Sequence, residues 1–288
     1  MQLVEKHMAV LSNDAIRLQE YGVGVFERIA TKSALKKAIK KKMIFVNDKV
    51  ATTATFIKEG DKIEYRFDQN DDTRKKFRLK LPIIYEDDYL AIINKPAGIV
   101  VSGNNFKTVA NALCQNLNPS SIHDAAKPQP AHRLDFATTG LLLIGKTSSV
   151  IKELNRLFEF KEVQKSYYAV TIGAMEPKGE VNLQVDDKEA CSIFEVLETI
   201  PSIRFNYLNL VKLSPKTGRR HQLRKHMLAI GNPILGDATY FKQGLMLKGK
   251  GLYLHAQSLQ FIHPKTYQEM YVDTTLPVKF NKLFRSIS

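Results

Sequence analysis

The sequence predicts an α+β protein made of two folded parts. Short apolar runs of strand length outnumber the helical patterns along most of the chain. A polar, highly charged stretch at residues 67–80 separates a short N-terminal part from a longer C-terminal part. The 288 residues, 44% of them hydrophobic and 25% charged, suffice for one large and one small domain. We therefore expect a small α/β domain (residues 1–66), a linker (67–80) and a larger mixed domain (81–288).

The composition excludes several classes of protein. No run approaches the ~18 consecutive apolar residues that a membrane-spanning helix needs, and residues 1–13 lack the separate basic and apolar regions of a secretory signal. Cys114 and Cys191 are too few and too far apart for a disulfide framework or a structural zinc site. We expect a cytoplasmic protein that binds no metal and no membrane.

The charge balance indicates a polyanionic partner. The net charge is +14, and residues 1–80 contribute half of it with 18 basic and 11 acidic residues. Such an excess attracts nucleic acid through phosphate contacts and counterion release, although many basic proteins bind nothing specific. The distribution of the basic residues must decide between these interpretations.

The N-terminal part contains a basic amphipathic helix followed by short strands. Ala34, Leu35, Ala38 and Ile39 recur at helical spacing, which leaves the other faces to a set of lysines: Lys32, Lys36, Lys37, Lys40 and Lys41. Strand-like runs follow at residues 44–46, 55–57 and 62–65, with turns at 47–49 and 59–61 between them. A lysine-rich helix face is also typical of an ordinary solvated surface.

This arrangement resembles the alpha-L motif, the small RNA-binding domain first described in ribosomal protein S-four. The similarity covers about sixty residues and lies in Arg17-Leu18, the basic helix, Val46-Asn47-Asp48-Lys49-Val50 and Gly60-Asp61-Lys62-Ile63. Gln19 and Asp48 depart from the acidic residue and the turn glycine of that family, and two glycines, Gly22 and Gly24, weaken the first helix. The resemblance implies that Lys36, Lys37 and Lys40 contact RNA.

The C-terminal part begins with strands and reaches its first polar cluster after residue 130. Strand-like runs at 83–85 and 90–93 lead to a turn at residues 94–98, for which the proline and glycine are a sufficient explanation. Residues 125–129, flanked by prolines, predict a loop that leads into the segment His132 to Gly140 and the strand 141–144. Asp135 in that segment either caps a turn or has a chemical role, and spacing alone does not decide.

Two further polar clusters follow. An amphipathic helix at 149–158 precedes a strand in which Lys165, Tyr167 and Ala169 share a face. Later, Leu223, Met227 and Ile230 lie on one face of a helix, so His221 and Arg224 project from the other. A half-buried tyrosine is most often part of the core, and an arginine is most often solvated.

Taken in order, these segments resemble the RluA family of RNA pseudouridine synthases. The resemblance runs from about residue 83 to 264 and is carried by Glu86-Asp87, Asn94-Lys95-Pro96, His132-Arg133-Leu134-Asp135, Thr138-Thr139-Gly140, Lys165-x-Tyr167, Thr217-Gly218-Arg219-x-His221-Gln222-Leu223-Arg224, Gly236-Asp237-x-x-Tyr240 and His263-Pro264. It implies a curved, largely antiparallel sheet with a central cleft. Thr139 stands where serine is usual in the family.

The resemblance also implies a reaction and its residues. A uridine in RNA would be isomerised to pseudouridine without a cofactor, after its nucleotide is flipped out of the stack. Asp135 would be the catalytic carboxylate, either attacking the ribose or assisting loss of the base, and Arg224 would keep it ionised. Tyr167 would lie against the uracil and could help to remove the C5 proton at the end of the reaction. Five other residues of these motifs would contact the substrate: Arg133, His132, Lys165, Arg219 and His221. Of these, His132 would position its loop rather than act as an acid or base.

Competing functions and the substrate are judged from the same residues. A non-catalytic RNA-binding protein would not need Asp135, Tyr167 and Arg224 together, a zinc deaminase needs paired cysteines, and a serine hydrolase needs a G-x-S-x-G segment that is absent. The additional N-terminal domain favours ribosomal RNA over transfer RNA as the substrate. We expect a monomer without a protein partner.

Overall fold

The computed structural model describes residues 2–10, 15–26, 29, 31–68, 77–247 and 249–284. The chain divides into two compact units, Met1–Lys76 and Phe77–Ser288. None of the helices in the described residues is long and apolar enough to cross a membrane. Most of the predicted linker, residues 69–76, lies outside the described residues.

The N-terminal unit is a small antiparallel sheet with two helices. The sheet has the order β1-β6-β3-β4, and β2 pairs separately with β5. Its elements are β1 (Gln2–Met8), β2 (Ile16–Arg17), α1 (Leu18–Tyr21), α2 (Lys32–Lys40), β3 (Ile44–Val46), β4 (Lys49–Val50), β5 (Phe56–Ile57) and β6 (Lys62–Asp68). The predicted start of the linker at residue 67 is wrong, because β6 continues through Phe67, which is buried against this unit and stacks on Tyr65.

Helix α2 is the basic amphipathic helix that the sequence predicts. Thr31 caps its N-terminus by accepting a hydrogen bond from the Ala34 amide. Leu35, Ala38 and Ile39 are buried in the core of the unit, whereas the lysines of the opposite face are exposed: Lys32, Lys36, Lys37 and Lys40. The apolar stripe therefore fixes the helix to its sheet and presents the lysines to solvent.

The C-terminal unit is built on one large mixed sheet, which confirms the α+β fold class. Strand order is β12-β13-β14-β11-β15-β10-β8-β7, with β9 paired to β10 and β16 to β15. Its elements are β7 (Ile83–Glu86), β8 (Leu90–Lys95), α3 (Val109–Ala112), β9 (Ala125–Pro130), β10 (Thr139–Thr147), α4 (Ser148–Glu159), β11 (Gln164–Ile172), β12 (Lys178–Asn182), β13 (Cys191–Ser202), β14 (Asn206–Pro215), α5 (Gln222–Ala229), β15 (Leu254–Ile262), β16 (Glu269–Asp273) and α6 (Val278–Asn281).

Strand β9 corrects one expectation. Residues 125–129 were expected to form a loop because prolines flank and interrupt them, yet they pair antiparallel with β10. Proline is tolerated on an edge strand because its missing N–H can face away from the pairing partner. The segment lies at such an edge, with β10 on one side. It leads directly into the polar segment that begins at His132.

The centre of the sheet is apolar on both faces. Residues 140–147 of β10 are buried throughout, and helix α4 covers one face through Val150, Leu154 and Leu157. Strands that are buried on both faces read as continuous apolar runs rather than alternating ones. Thr147 caps α4, which therefore begins at Ser148, one residue before the predicted start.

A parallel contact between β10 and β15 lies beside the polar segment. Every other strand pair in the sheet is antiparallel, but Thr139 and Gly140 pair in parallel with His255 and Ala256. Gly140 has φ +112, and a Cβ at this position would overlap the backbone of Ala256. Only glycine permits this approach. The end of the polar segment is thus fixed against the central strands.

Candidate active site

A large cleft lies on the C-terminal unit and gathers its predicted site residues. The cavity has a volume of about 1160 Å³. All the predicted site residues of this unit line it: His132, Arg133, Asp135, Lys165, Tyr167, Arg219, His221 and Arg224. Lys36, Lys37 and Lys40 belong to the other unit and lie on α2. No group of three His, Cys, Asp or Glu side chains suited to a metal ion occurs within the described part of the chain.

Asp135 lies in the segment between β9 and β10, and a buried lysine holds that segment. Lys95, at the end of β8, is completely buried. Its Nζ donates to the carbonyl oxygens of Asp135 at 3.1 Å and Thr138 at 2.8 Å, and also to that of Pro96 at 3.0 Å. Burial lowers the pKa of Lys95 to about 8, and the charge of Asp135 opposes this shift. The segment is thus tied to the adjacent strand through its backbone.

Arg224 on α5 joins two carboxylates. Its Nε and Nη2 donate to the two oxygens of Asp237 at 2.7 and 2.8 Å, and its Nη1 donates to Oδ2 of Asp135 at 3.3 Å. The predicted pairing with Asp135 is therefore single, and the bidentate partner is Asp237. Burial alone would lower the pKa of Arg224, but Asp237 and Asp135 together raise it. The guanidinium therefore stays charged, and Asp237 holds it through Nε and Nη2 while Nη1 donates to Asp135.

The contacts of Asp237 fix its carboxylate beside that guanidinium. Its side chain is fully buried, and Oδ1 also accepts the backbone N–H groups of Thr239 and Tyr240, each at 2.9 Å. Burial would raise the pKa of Asp237, but Arg224 and these N–H groups lower it. The preceding Gly236 has φ +76 and lies so close to Gly251 that no Cβ would fit. The turn therefore presents an ionised carboxylate to α5.

His221 contacts the other oxygen of Asp135. Its Nε2 lies 3.7 Å from Oδ1 of Asp135, and its Nδ1 lies 3.0 Å from the Tyr240 hydroxyl. The Tyr240 ring also packs on the guanidinium of Arg224, with 4.9 Å between the Arg224 Cζ and the ring centroid. Burial lowers the pKa of His221, and Asp135 opposes this effect. One tyrosine thus contacts both groups that face Asp135.

Tyr167 on β11 forms a largely apolar wall of the cleft. Its ring packs against both core clusters of the C-terminal unit that meet at the site. Burial raises the pKa of its hydroxyl, and the negative charge of Asp135 adds to the shift. The phenol therefore keeps its proton at neutral pH and offers a flat face rather than a base.

His132 and Lys165 lie together at one side of the cleft. The ring of His132 stacks on Phe158 with centroids 4.6 Å apart, and its Nε2 accepts the Leu143 amide at 3.1 Å. Burial, with the nearby charge of Lys165, lowers the pKa of His132 to about 3. Burial also lowers the pKa of Lys165, whose Nζ lies 5.6 Å from the centroid of the Phe158 ring. A neutral His132 that accepts a backbone N–H is suited to holding the loop, not to proton transfer.

The mouth of the cleft is basic. Arg133, Arg219 and Arg220 are exposed and line the cavity. The Nε of Arg219 donates to the carbonyl of Glu189 at 3.0 Å. Arg133 belongs to the segment that carries Asp135. Exposed guanidinium groups around a cavity suit the binding of phosphates.

Sequence reasoning gave no role to Lys95, Asp237 or Tyr240. Lys95 belongs to one of the motifs that carry the family resemblance, but the proline and glycine of its turn are a sufficient structural explanation for that segment. Asp237 and Tyr240 were noted only as parts of a motif. The sequence shows a charged residue at the end of the apolar strand β8 and an aspartate directly after a glycine. Neither pattern indicates which residue the side chain contacts.

Several known proteins are similar to this chain in sequence. Residues 89–229 match the family model described as RNA pseudouridylate synthase. The dual-specificity RNA pseudouridine synthase RluA of Haemophilus influenzae is 38% identical, over 66% of this chain and 90% of its own. The ribosomal large subunit pseudouridine synthase C of Rickettsia bellii is 30% identical, over 96% of this chain and 99% of its own.

A solved structure has a similar fold. Human RNA pseudouridylate synthase domain containing 4 shares 25% identity with this chain, with a TM-score of 0.55. The likeness covers 69% of this chain and 90% of the human one.

Proposed function

Because the chain belongs to the RNA pseudouridylate synthase family, whose members are isomerases, we propose that it converts uridine to pseudouridine in large-subunit ribosomal RNA with Asp135 as the catalytic carboxylate. The observation that carries the proposal is the pairing of Asp135 with Arg224 at 3.3 Å, in a cavity that Tyr167 also lines. A carboxylate, a fixed cation and a flat wall are the groups that this isomerisation needs.

The reaction exchanges one bond to the ribose for another. The bond between C1′ and N1 breaks, and N1 of uracil leaves with the electron pair. The ionised Asp135 either attacks C1′ or assists departure of the base by taking a proton from the sugar. The base then turns and C5 bonds to C1′. This step releases Asp135 from C1′ if Asp135 attacked the sugar, or returns the sugar proton from Asp135 if it acted as a base. The C5 proton is then lost, and N1 gains a proton. Atoms balance without a redox step, so the enzyme itself needs no cofactor.

Arg224 and Tyr167 support this chemistry in different ways. Arg224 places a permanent positive charge beside Asp135 and donates a hydrogen bond to its Oδ2, which holds the carboxylate in place. Tyr167 provides a surface on which the uracil ring can stack while it turns. Burial raises its pKa and so keeps the hydroxyl protonated at neutral pH, and we therefore assign the final C5 proton to solvent rather than to Tyr167.

The substrate nucleotide must leave its stack to reach Asp135. Flipping costs a few kcal/mol of unstacking and unpairing, which protein contacts must offset. The cavity is large enough to enclose a nucleotide. Arg133 is exposed two residues from Asp135, where it can fill the gap in the RNA or bind a phosphate. We infer that it stabilises the flipped state.

The choice of ribosomal RNA depends on the N-terminal unit. The match to the Rickettsia bellii enzyme, whose name states a large-subunit substrate, extends over both units of this chain, whereas the match to the dual-specificity enzyme covers 66% of it. We propose that the N-terminal unit is an alpha-L domain whose helix α2 binds RNA phosphates through Lys36, Lys37 and Lys40. This additional contact suits a large, structured RNA.

Tritium release tests the proposed reaction. The intact protein would be incubated with transcripts of large-subunit ribosomal RNA and with transfer RNA, both labelled with tritium at C5 of uridine. We expect release from the ribosomal transcript at a small number of sites and little from transfer RNA. Release from transfer RNA alone would contradict the substrate, and release from neither would favour an RNA-binding protein without turnover.

A second experiment tests the role of α2. Replacing Lys36, Lys37 and Lys40 with glutamine should weaken binding to the ribosomal transcript. The negative slope of the logarithm of the binding constant against the logarithm of the salt concentration should become shallower by about 2–3, roughly one per lost phosphate contact. The matched control replaces three exposed lysines that do not line the cavity: Lys152, Lys178 and Lys265. An unchanged slope in the α2 variant would show that these lysines form an ordinary solvated surface and do not contact RNA.

A further inference from the structure

His221 has a backbone conformation that few residues adopt. It stands at the N-terminus of α5 with φ 56 and ψ 22, in the left-handed region, and its side chain makes no capping hydrogen bond to the helix. This conformation is unfavourable for a residue other than glycine unless its surroundings compensate. The ring instead makes its contacts in the cleft, with Tyr240 and Asp135.

The two ring nitrogens have different partners. Nδ1 lies 3.0 Å from the Tyr240 hydroxyl, and Nε2 lies 3.7 Å from Oδ1 of Asp135. The rings of His221 and Tyr240 meet edge to face at 5.5 Å, which fixes the imidazole plane. His221 therefore faces Asp135 in one defined orientation.

The charges around His221 favour its neutral form. Burial lowers its pKa, Asp135 opposes that shift, and the positive groups that face the ring lower it further: Arg224, Arg220 and Lys225. A neutral imidazole has one N–H and one acceptor nitrogen. If the Tyr240 hydroxyl donates to Nδ1, the single proton lies on Nε2 and points towards Asp135.

We propose that His221, with its tautomer set by Tyr240, is a positioning residue that orients the carboxylate of Asp135 for the reaction. Arg224 holds Oδ2 and His221 holds Oδ1, so the pair fixes rotation of the carboxylate about its Cβ–Cγ bond. The 3.7 Å separation is longer than a hydrogen bond, so the proposal requires Nε2 and Oδ1 to move within hydrogen-bonding distance when RNA binds. A neutral donor achieves this without adding a second positive charge beside the carboxylate of Asp135.

The inference rests on the proposed function and assigns His221 a task other than RNA binding. A residue that binds RNA changes KM when it is removed, whereas a residue that orients Asp135 changes kcat. His221→Asn is the informative variant, because asparagine adopts the left-handed region readily and is too short to reach Asp135 and Tyr240 together. Tyr240→Phe removes the hydroxyl and keeps the ring on Arg224.

Single-turnover and steady-state tritium release from the ribosomal transcript test the inference. For His221→Asn we expect kcat to fall about 30–100-fold with KM within threefold of wild type. For Tyr240→Phe we expect a fall of about 5–10-fold, again in kcat. Tyr207→Phe is the matched control, because Tyr207 lies on β14 outside the cleft, and it should match wild type. Circular dichroism and thermal unfolding verify that each variant is folded.

The outcomes separate this inference from the function on which it rests. If wild type releases tritium but His221→Asn keeps kcat within threefold, the positioning role is wrong while the enzyme assignment stands. A rise in KM alone would make His221 an RNA-binding residue and would equally overturn the inference. Wild type that releases no tritium would instead contradict the proposed function.

Discussion

Asp237→Asn isolates the contribution of a residue that contacts Arg224 but not Asp135. The variant keeps Oδ1, which accepts the Thr239 and Tyr240 amides and Nη2 of Arg224. It replaces Oδ2 with an NH₂ group that faces the Nε of Arg224, so the 2.7 Å bond becomes a contact between two donors. The substitution is nearly isosteric, which leaves charge and hydrogen bonding as the changed quantities.

The structure sets the expected size of the effect. Arg224 and Asp237 are 7% and 2% exposed, so both partners are effectively buried. Removing one partner of a buried ion pair costs about 3–5 kcal/mol, and the retained Oδ1 bonds place Asp237→Asn near 3 kcal/mol. For a unit of this size that corresponds to a fall of about 6–12 °C in Tm. Urea unfolding followed by circular dichroism measures it.

Activity distinguishes orientation from charge. If Asp237 orients the guanidinium, its loss should lower kcat for tritium release about 100-fold, or ~2.7 kcal/mol, because Nη1 loses its direction towards Asp135. If only the charge of Arg224 mattered, removal of the competing carboxylate would leave the rate unchanged or raise it. The first expectation is a fall in kcat, and the second is an unchanged or higher kcat.

Asp186→Asn is the matched control for stability. It also removes a carboxylate that pairs with a residue of α5, because Asp186 bonds Lys225, but this pair is exposed to solvent. Exposed pairs contribute about 0–1 kcal/mol, and asparagine tolerates the positive φ of Asp186. Unfolding of Asp237→Asn within 1 kcal/mol of wild type, together with kcat within threefold, would refute the orienting role.

Further predictions concern the segment that carries Asp135. The ammonium of Lys95 has a pKa of about 8, so it is charged below that pH and neutral above it. We therefore expect kcat to fall as pH rises through 8. Lys95→Met should lower kcat and abolish this decrease of kcat with pH. A wild-type rate that is flat from about pH 7 to 9.5 would contradict the role of Lys95. Gly140→Ala should destabilise the unit by at least ~3 kcal/mol in urea unfolding, because its Cβ would overlap Ala256 and its φ is positive. Gly244→Ala has positive φ but open space, so it should cost only ~1 kcal/mol, and equal losses would show that backbone strain alone matters.

Elements with strong local periodicity could be predicted from the sequence. The apolar run of β10 and the amphipathic patterns of α2 and α4 encode their own burial, and the observed bounds differ from the predictions by few residues. Strand β9 could not be predicted, because its prolines are compatible with a strand only at an edge. Strand β1 also escaped attention, since its alternating charged and apolar residues become a strand by pairing with β6.

In the candidate site, too, contacts between distant residues could not be predicted from local patterns. Asp135 and Arg224 lie 89 residues apart, and only the family resemblance joined them before the structure placed them at 3.3 Å. The partners of these two residues were beyond sequence reasoning. Nothing local to Lys95 indicates that it will donate to the carbonyls around Asp135, and nothing local to Asp237 indicates that it will hold Arg224. Such contacts arise only when distant strands and helices pack.

Asp135→Asn tests the central claim most directly. Asparagine preserves the size of the side chain and its place in the segment held by Lys95, but it can neither attack C1′ nor accept a proton from the sugar. We predict that the variant binds the ribosomal transcript with the affinity of wild type and releases no tritium above background in a single turnover. Release at a tenth of the wild-type rate or more would contradict the assignment of Asp135 as the catalytic carboxylate.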